Sequence, residues 1–229
     1  MSAGLATAQD SKQEADPKNI SPSGAYSEAE KAPAMTPERK KRMVLKETSP
    51  GIWQMEKIQI DALARSISFP VGIGETKAQL EYVLVNGTGK THESLFVTDV
   101  FPTQLHVAAR LLSVENGHPV QISVQWEVAG PKKNVSISDL LSIQGAAGKK
   151  LQWSYHANQL ADGKLSAEMD QSLITLIEDP NALIHHADGK KLARDDIYTA
   201  KQVDEGKPPL LPAKGLPLTM TLTFPKVEK

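Results

Sequence analysis

Apolar and polar residues alternate with a period of two over much of the chain from Trp53 onward. Val120, Ile122, Val124, Trp126 and Val128 fall on one side of such a run, with Gln121, Ser123, Gln125 and Glu127 on the other. That pattern predicts a strand with one buried face and one wet face. Near the C-terminus Leu216, Leu218, Met220, Leu222 and Phe224 alternate with Pro217, Thr219, Thr221 and Thr223, which predicts a second. Ile58 and Ile60, followed by Ile67 and Phe69, predict an early hairpin. Leu80, Tyr82 and Leu84 lead into Asn86-Gly87, a dipeptide that tolerates the positive φ of a type I′ turn, so a return strand through Glu93 to Val97 is expected. Leu151, Trp153 and Tyr155 mark a further strand. Leu173 to Ile177 form a short apolar run of either type, with Asp162-Gly163 as a hairpin turn between the two.

Helical spacing is clearest from Pro102 to Ser113, where Leu105, Ala108, Ala109 and Leu112 share one face. Pro102 suits a first turn, Thr98 or Asp99 is placed to cap it, and Asn116-Gly117 to end it. A shorter helix is expected around Ser138 to Ser142. The fold class that follows is α+β and β-rich: mainly antiparallel sheet with one well-defined amphipathic helix over about 102–113 and minor helices. Residues 1–50 carry Pro17, Pro22, Pro33, Pro37 and Pro50 among Ser, Ala, Lys and Glu, with Tyr26 as their only aromatic. Such a segment lacks the apolar area to offset its ordering entropy and reads as a disordered arm or linker before a single domain over 51–229.

Composition adjusts this picture in three places. Aromatics are 5% of 229 residues against 40% hydrophobic overall, so aliphatic side chains must build the core. With 26 basic and 27 acidic residues the net charge is -1, which removes any whole-chain field for nucleic acid or anionic membrane. A basic run, Arg39, Lys40, Lys41, Arg42 and Lys46, is the local exception, and its plainest reading is a solvated stretch. The chain has no cysteine, which excludes disulfides, thiolate nucleophiles and Cys-held zinc or iron–sulfur centres. No apolar stretch reaches the roughly 20 residues of a transmembrane helix. Ala6-Thr7-Ala8 before Gln9 has the small-x-small form left at a signal-peptide cleavage site.

Candidate chemistry is sparse. Gly89-Lys90-Thr91 follows an apolar strand, but a phosphate loop needs glycine where Leu84 stands and a helix where Ser94-Leu95-Phe96-Val97 read as strand. A polar site of His92, Glu93, Asp99 and His106 is the best enzyme candidate, although His92 and Glu93 on a regular strand point apart and His106 falls on the polar side of its helix, where exposure is expected. His185, His186 and Asp188 in an expected loop form a weaker set of metal ligands. No nucleophile elbow or H-E-x-x-H helix is present, and nothing pairs Glu168, Asp170, Glu178 and Asp179 across a cleft. No cofactor is expected.

The stretch LEYVLVNGTGKTHESLFVTDVFPTQLHVAARLL from Leu80 resembles the signature of the bacterial YdjY-domain family, a strand, a GK-x-HESL segment, a Thr-Asp turn and an LH-x-A helix. SPGIWQMEKIQIDALARSISFP from Ser49, SLITLIEDPNALI from Ser172 and LPAKGLPLTMTL from Leu211 extend the resemblance over residues 49–225. It departs at residues 71–79, VGIGETKAQ, and the absence of cysteine bars the ferredoxin-type association of some relatives. The resemblance implies a protein that is exported, periplasmic or membrane-tethered on the outer side. The expected function is a non-catalytic binding or scaffolding module of the bacterial cell envelope, acting on an envelope protein or small-molecule ligand. The alternative is a metal-dependent or hydrolytic enzyme working near His92 to His106. Nucleic acid or anionic lipid, held by Arg39 to Lys46, is a third reading that the balanced charge disfavours.

Overall fold

Fourteen strands and three short or medium helices arise from these patterns in a computed structural model, which describes residues 36–127, 130–144, 151–186, 197–201 and 210–227. Helix α1 (Pro37–Lys41) leads into β1 (Leu45–Ser49), β2 (Ile52–Met55), β3 (Ile58–Asp61) and β4 (Ser66–Ile73). Next come β5 (Tyr82–Asn86), β6 (Ser94–Thr98), α2 (Pro102–Leu111) and β7 (Pro119–Trp126). The chain continues through β8 (Lys133–Ser136), α3 (Ile137–Leu140), β9 (Leu141–Gln144), β10 (Trp153–Tyr155), β11 (Ser172–Thr175), β12 (Ile184–His186), β13 (Ile197–Ala200) and β14 (Leu218–Thr223). The α+β, β-rich class holds, with antiparallel pairing predominant. Among the described residues no helix is long and apolar enough to cross a membrane.

The strands close on themselves. From β4 the pairing runs through β14, β7, β10, β12, β11, β5 and β6, and β6 returns to β4 where Gly72 and Ile73 meet Val97 and Phe96. Strands β1, β2 and β3 extend one flank of this ring, and β8 pairs with β7. Long strands turn the corners: β4 gives Ser66–Val71 to β14 but its last two residues to β6, while β7 gives Gln121–Gln125 to β14 and its first two to β10. Strands that switch partners in this way let two sheet regions face each other across one core. Gly74 follows the β4 corner, and a Cβ there would lie 2.4 Å from the Ser94 carbonyl oxygen, so only glycine admits this approach.

Side-chain alternation and register together build the interior. Ile60, Ile67, Leu222 and Ile122 are directly opposite one another across β3, β4, β14 and β7, and Phe69, Met220 and Val124 form the next buried row. Burying Leu218, Met220, Leu222 and Phe224 of this segment contributes about 6–12 kcal/mol by area. Helix α2 turns Leu105, Ala108 and Ala109 inward, with Leu112 just past its end, as its spacing predicts, and Gln104 is buried with them. The two strands predicted most directly, β7 and β14, have the expected inward faces; Val128 lies outside the described residues.

Several local expectations are overturned. Asn86-Gly87 does not make a hairpin: β5 and β6 are parallel, Tyr82 opposite Ser94 and Asn86 opposite Thr98. Asn86 is buried; its Nδ2 donates to the Val100 carbonyl at 3.0 Å, and its Oδ1 accepts from the Thr88 N–H, so the side chain organises a connector instead of a tight turn. β5 is buried on both faces, not one, because it lies between β11 and β6 inside the closed ring. Asp162-Gly163 does make a tight turn, with Gly163 at positive φ and Gln159 bridged antiparallel to Leu165, but the strands expected on either side, β10 and β11, pair with β12 and not with each other. Helix α2 ends at Leu111 with Leu112 as its C-cap, and Ser113 in the left-handed region, φ 54°, turns the chain ahead of Asn116-Gly117. Neither Thr98 nor Asp99 caps that helix; Phe101 stands at its N-cap and the Gln104 side chain accepts from the Phe101 N–H at 3.0 Å.

Of residues 1–50, expected as an arm, Pro37–Lys41 form α1 and Leu45–Ser49 form β1, which pairs with β2, while residues 1–35 lie outside the described residues. Ala6 to Gln9 lie outside the described residues. The basic run is divided: Lys40, Lys41 and Lys46 are exposed, whereas Arg39 and Arg42 are half-buried with their guanidinium carbons 3.8 and 4.4 Å from the Phe101 ring centroid. Arg42 also donates to Glu56 at 2.6 Å and to the Asp99 carbonyl at 2.7 Å. Arg39 donates at 2.6 Å to Glu168, a buried carboxylate that also accepts from the Thr103 N–H at 2.9 Å, the Thr103 hydroxyl at 2.5 Å and Gln171 at 3.0 Å. Glu168 therefore supplies the charge that α2 lacks in its own first turn.

Burial alone would raise the Glu168 pKa, but the bonds from Thr103, Arg39 and Gln171 outweigh it and hold the carboxyl below its usual 4.5. Because the folded value is the lower one, Glu168 adds stability above pH 4.5, and that share is lost as pH falls through the depressed value. Replacing it, Glu168→Ala, strands a guanidinium and is expected to cost about 3–5 kcal/mol at neutral pH. Urea unfolding of Glu168→Gln and the parent protein is expected to show a stability gap that narrows from about pH 7 to about pH 3. A gap that does not change with pH would remove Glu168 from the acid response.

Candidate functional site

The four residues of the enzyme candidate do not meet. His92 and Glu93 lie in a 3-10 turn over Thr91–Glu93, not on a strand, with the His92 side chain 81% exposed and 3.8 Å from Glu93. Asp99 follows the opposite end of β6, roughly 20 Å from Glu93 at strand rise, and is ion-paired with Lys57. His106 is not solvated as expected: its Nδ1 lies 2.6 Å from the Tyr155 hydroxyl, and burial, then the Arg110 charge, lowers its pKa. His185 and His186 are on β12 and not in a loop, so their side chains leave opposite faces of a strand. His185 Nε2 is 2.6 Å from the Ala182 carbonyl oxygen, and the buried His186 ring meets Trp153 edge-on; Asp188 lies outside the described residues. Among the described residues no three His, Asp or Glu side chains are grouped to hold a metal ion.

A polar network that the sequence did not single out surrounds Tyr82. Lys90 donates to its hydroxyl at 2.7 Å, and that hydroxyl donates to Asp179 at 3.0 Å. Asp179 in turn accepts from the Asn181 N–H, which fixes the turn after β11. Burial, then the Asp179 charge, pushes the Tyr82 pKa far above its usual value, so the phenol stays protonated. Burial and Asp179 likewise raise Asp170. Tyr82 is fully buried, so no reacting molecule reaches it, and the network acts as a clamp returning the β5–β6 connector to the start of β5. Gly89 lets that connector lie down: a Cβ there would come 2.9 Å from the Asp170 carbonyl oxygen. This is the role of the Gly89-Lys90-Thr91 segment that superficially suggests a phosphate loop.

The accessible feature is the outer face of the sheet region around β14. One row runs Lys46, Gln54, Gln59, Ser68, Thr221, Ser123, Ser136 across β1, β2, β3, β4, β14, β7 and β8, each residue directly opposite the next. A second row is Pro70, Thr219, Gln125, Asn134 and a third Ile52, Asp61, Ser66, Thr223, Gln121. None of these side chains is buried, and Ser68 and Thr221 share a 2.9 Å hydroxyl contact. Two open grooves flank the rows. One of about 690 Å³ is lined by Gln121, Ser123, Asn134, Ser138 and Trp153, and one of about 440 Å³ by Gln59, Ser68, Gln125, Trp126 and Thr221. Charges are confined to the margins, at Lys46, Asp61, Glu127, Lys132 and Asp139. Such a surface offers hydroxyl and carboxamide hydrogen bonds, without a nucleophile–base pair.

The comparisons with known proteins give no further guidance: no family profile, curated protein or solved structure matches this chain. The polar half of each strand was readable from alternation. Nothing in the sequence aligns Ser68 with Thr221 and Ser123, because that alignment depends on which strands become neighbours.

Removing the Tyr82 hydroxyl, Tyr82→Phe, leaves Lys90 and Asp179 without their shared partner and is expected to cost about 1–3 kcal/mol in chemical denaturation. His92→Ala and Asp99→Asn, both at the surface, are each expected to stay within about 0.5–1 kcal/mol of the parent. Equal costs at all three positions would contradict the clamp.

Proposed function

We propose that the domain is a non-catalytic binding module of the bacterial cell envelope and that the polar sheet face is its contact surface. The observation that carries this reading is the unbroken row from Gln54 to Ser136, which is uncharged, reached by solvent along its length with Gln59 and Ser136 exposed and the other four half-buried, and continuous across six strands from β2 to β8. Ligand-contacting surfaces use convergent polar groups to fix orientation. Acid–base chemistry needs titratable groups within hydrogen-bond reach of a substrate. The strongly displaced groups, Tyr82 and Tyr155, are instead buried in the interior. The separation of His92 from Asp99 counts against the metal-dependent or hydrolytic alternative.

Placement in the envelope rests on the Ala6-Thr7-Ala8 pattern and on the YdjY-domain resemblance of the segment from Leu80 to Leu112. An arm preceding α1 would then space the domain from a membrane or wall. Anionic partners gain little, because the two best-placed cations of the basic run, Arg39 and Arg42, are already bound to Glu168 and Glu56.

Co-sedimentation with washed bacterial envelopes tests this. The full chain is expected to pellet with them, Thr221→Lys at the centre of the row to lower the bound fraction at least about ten-fold, and His92→Lys, away from the rows, to leave it unchanged. Equal pelleting of Thr221→Lys and the parent, or no pelleting of the parent, would refute the reading.

A further inference from the structure

We infer that the occupant of this face is an uncharged polysaccharide strand, an assignment that rests on the binding-module reading and names its ligand class. Chemistry narrows the choice first. Ser, Thr, Gln and Asn side chains each present both donor and acceptor capacity, and sugar hydroxyls require both at every position. The interior of the face, from Gln54 through Ser68, Thr221 and Ser123 to Ser136, carries no ammonium or guanidinium. A phosphate or carboxylate polymer would lose hydration there with no opposite charge to replace it.

Apolar ligands are disfavoured for the complementary reason. The large exposed hydrophobic side chains are Val44, Leu63, Leu111 and Val227, and none stands on these rows. An acyl chain or an amphipathic helix would find only scattered apolar cover there, at Ile52, Pro70 and Pro217, and no continuous patch. A peptide added as a strand needs an open sheet edge, whereas β4, β14 and β7, at the middle of the face, are paired on both sides.

Shape supplies the remaining constraint. Neighbouring strands stand about 4.8 Å apart, so the neutral row crossing six of them from β2 to β8 spans roughly 24 Å, the reach of several sugar rings and more than a single small molecule uses. A chain laid along the row meets a hydroxyl or carboxamide at each strand. The flanking grooves, with Trp153 in one wall and Trp126 in the other, receive substituents that project from it. Because the hydrogen bonds are neutral, binding should be multivalent, modest per contact and insensitive to salt.

Affinity electrophoresis of the full chain decides the matter, using hydroxyethylcellulose, glycol chitin and dextran as neutral probes and alginate and heparin as anionic ones. The expected result is retardation by at least one neutral polymer, unchanged within about two-fold between about 0.05 and 0.5 M NaCl. It should be weakened at least about ten-fold by Thr221→Lys, and also by Gln125→Ala, a truncation that adds no charge, with thermal melts confirming that both variants fold. Retardation by no neutral polymer, by alginate or heparin alone with steep salt dependence, or equally in parent and variants, overturns the inference. Envelope pelleting that depends on Thr221 while all neutral polymers fail would sink the polysaccharide and leave the module standing. Polymer binding without envelope pelleting would sink the envelope placement and leave the polysaccharide standing.

Discussion

Strand β14 is the constraint on which the rest of this structure depends. It enters between β4 and β7, opposite Ser66–Val71 on one side and Gln121–Gln125 on the other. Strands far apart in sequence are thereby joined, and the closed ring that runs from β4 round to β6 has its central link there. The apolar half of β14 fills the interior between Phe69 and Val124, while its threonines complete the outer rows. A shift of register by one residue would exchange those halves, so packing and the polar outer face are fixed by the same pairing. Such long-range pairings also carry a large loop-closure cost and place this chain among topologies that fold slowly.

Charge is used for construction and kept to the margins of the outer face proposed as the contact surface. Glu168 gathers Arg39, Thr103 and Gln171, which joins α1, the start of α2 and the turn before β11. Tyr82, between Lys90 and Asp179, joins the β5–β6 connector to the turn after β11. Both networks are inside or half-inside the domain, where an ionised group is tolerated only with its partners in place. The outer face around β14 has the opposite character, exposed and neutral. A surface of that kind offers hydrogen bonds in number and spacing and little field, and the proposed neutral hydroxyl-rich ligand rests on that contrast.

Particular residues show how far the sequence could be read. Val120 to Trp126 and Leu218 to Phe224 gave their inner and outer faces directly, because a strand's period of two is a local property. The α2 stripe of Leu105, Ala108, Ala109 and Leu112 was equally legible. Asn86-Gly87 misled, because a turn-forming dipeptide is only a tendency and burial of Asn86 against Val100 redirected it into a connector between parallel strands. Arg39 and Arg42 read as solvated for a similar reason: their partners Glu168 and Glu56 are remote or unmarked in the sequence.

The sequence by itself determined the β-rich class, the facing of the longest strands, the aliphatic core and the absence of thiol chemistry, all consequences of residue type and short spacing. Tertiary structure alone decided that Ser68, Thr221 and Ser123 stand side by side, that β5 is enclosed on both faces, and that His92 and Asp99 are kept apart. Those facts follow from strand order and register. Order and register are settled by the fit of the whole core, a sum over residues distant along the chain that no local window contains.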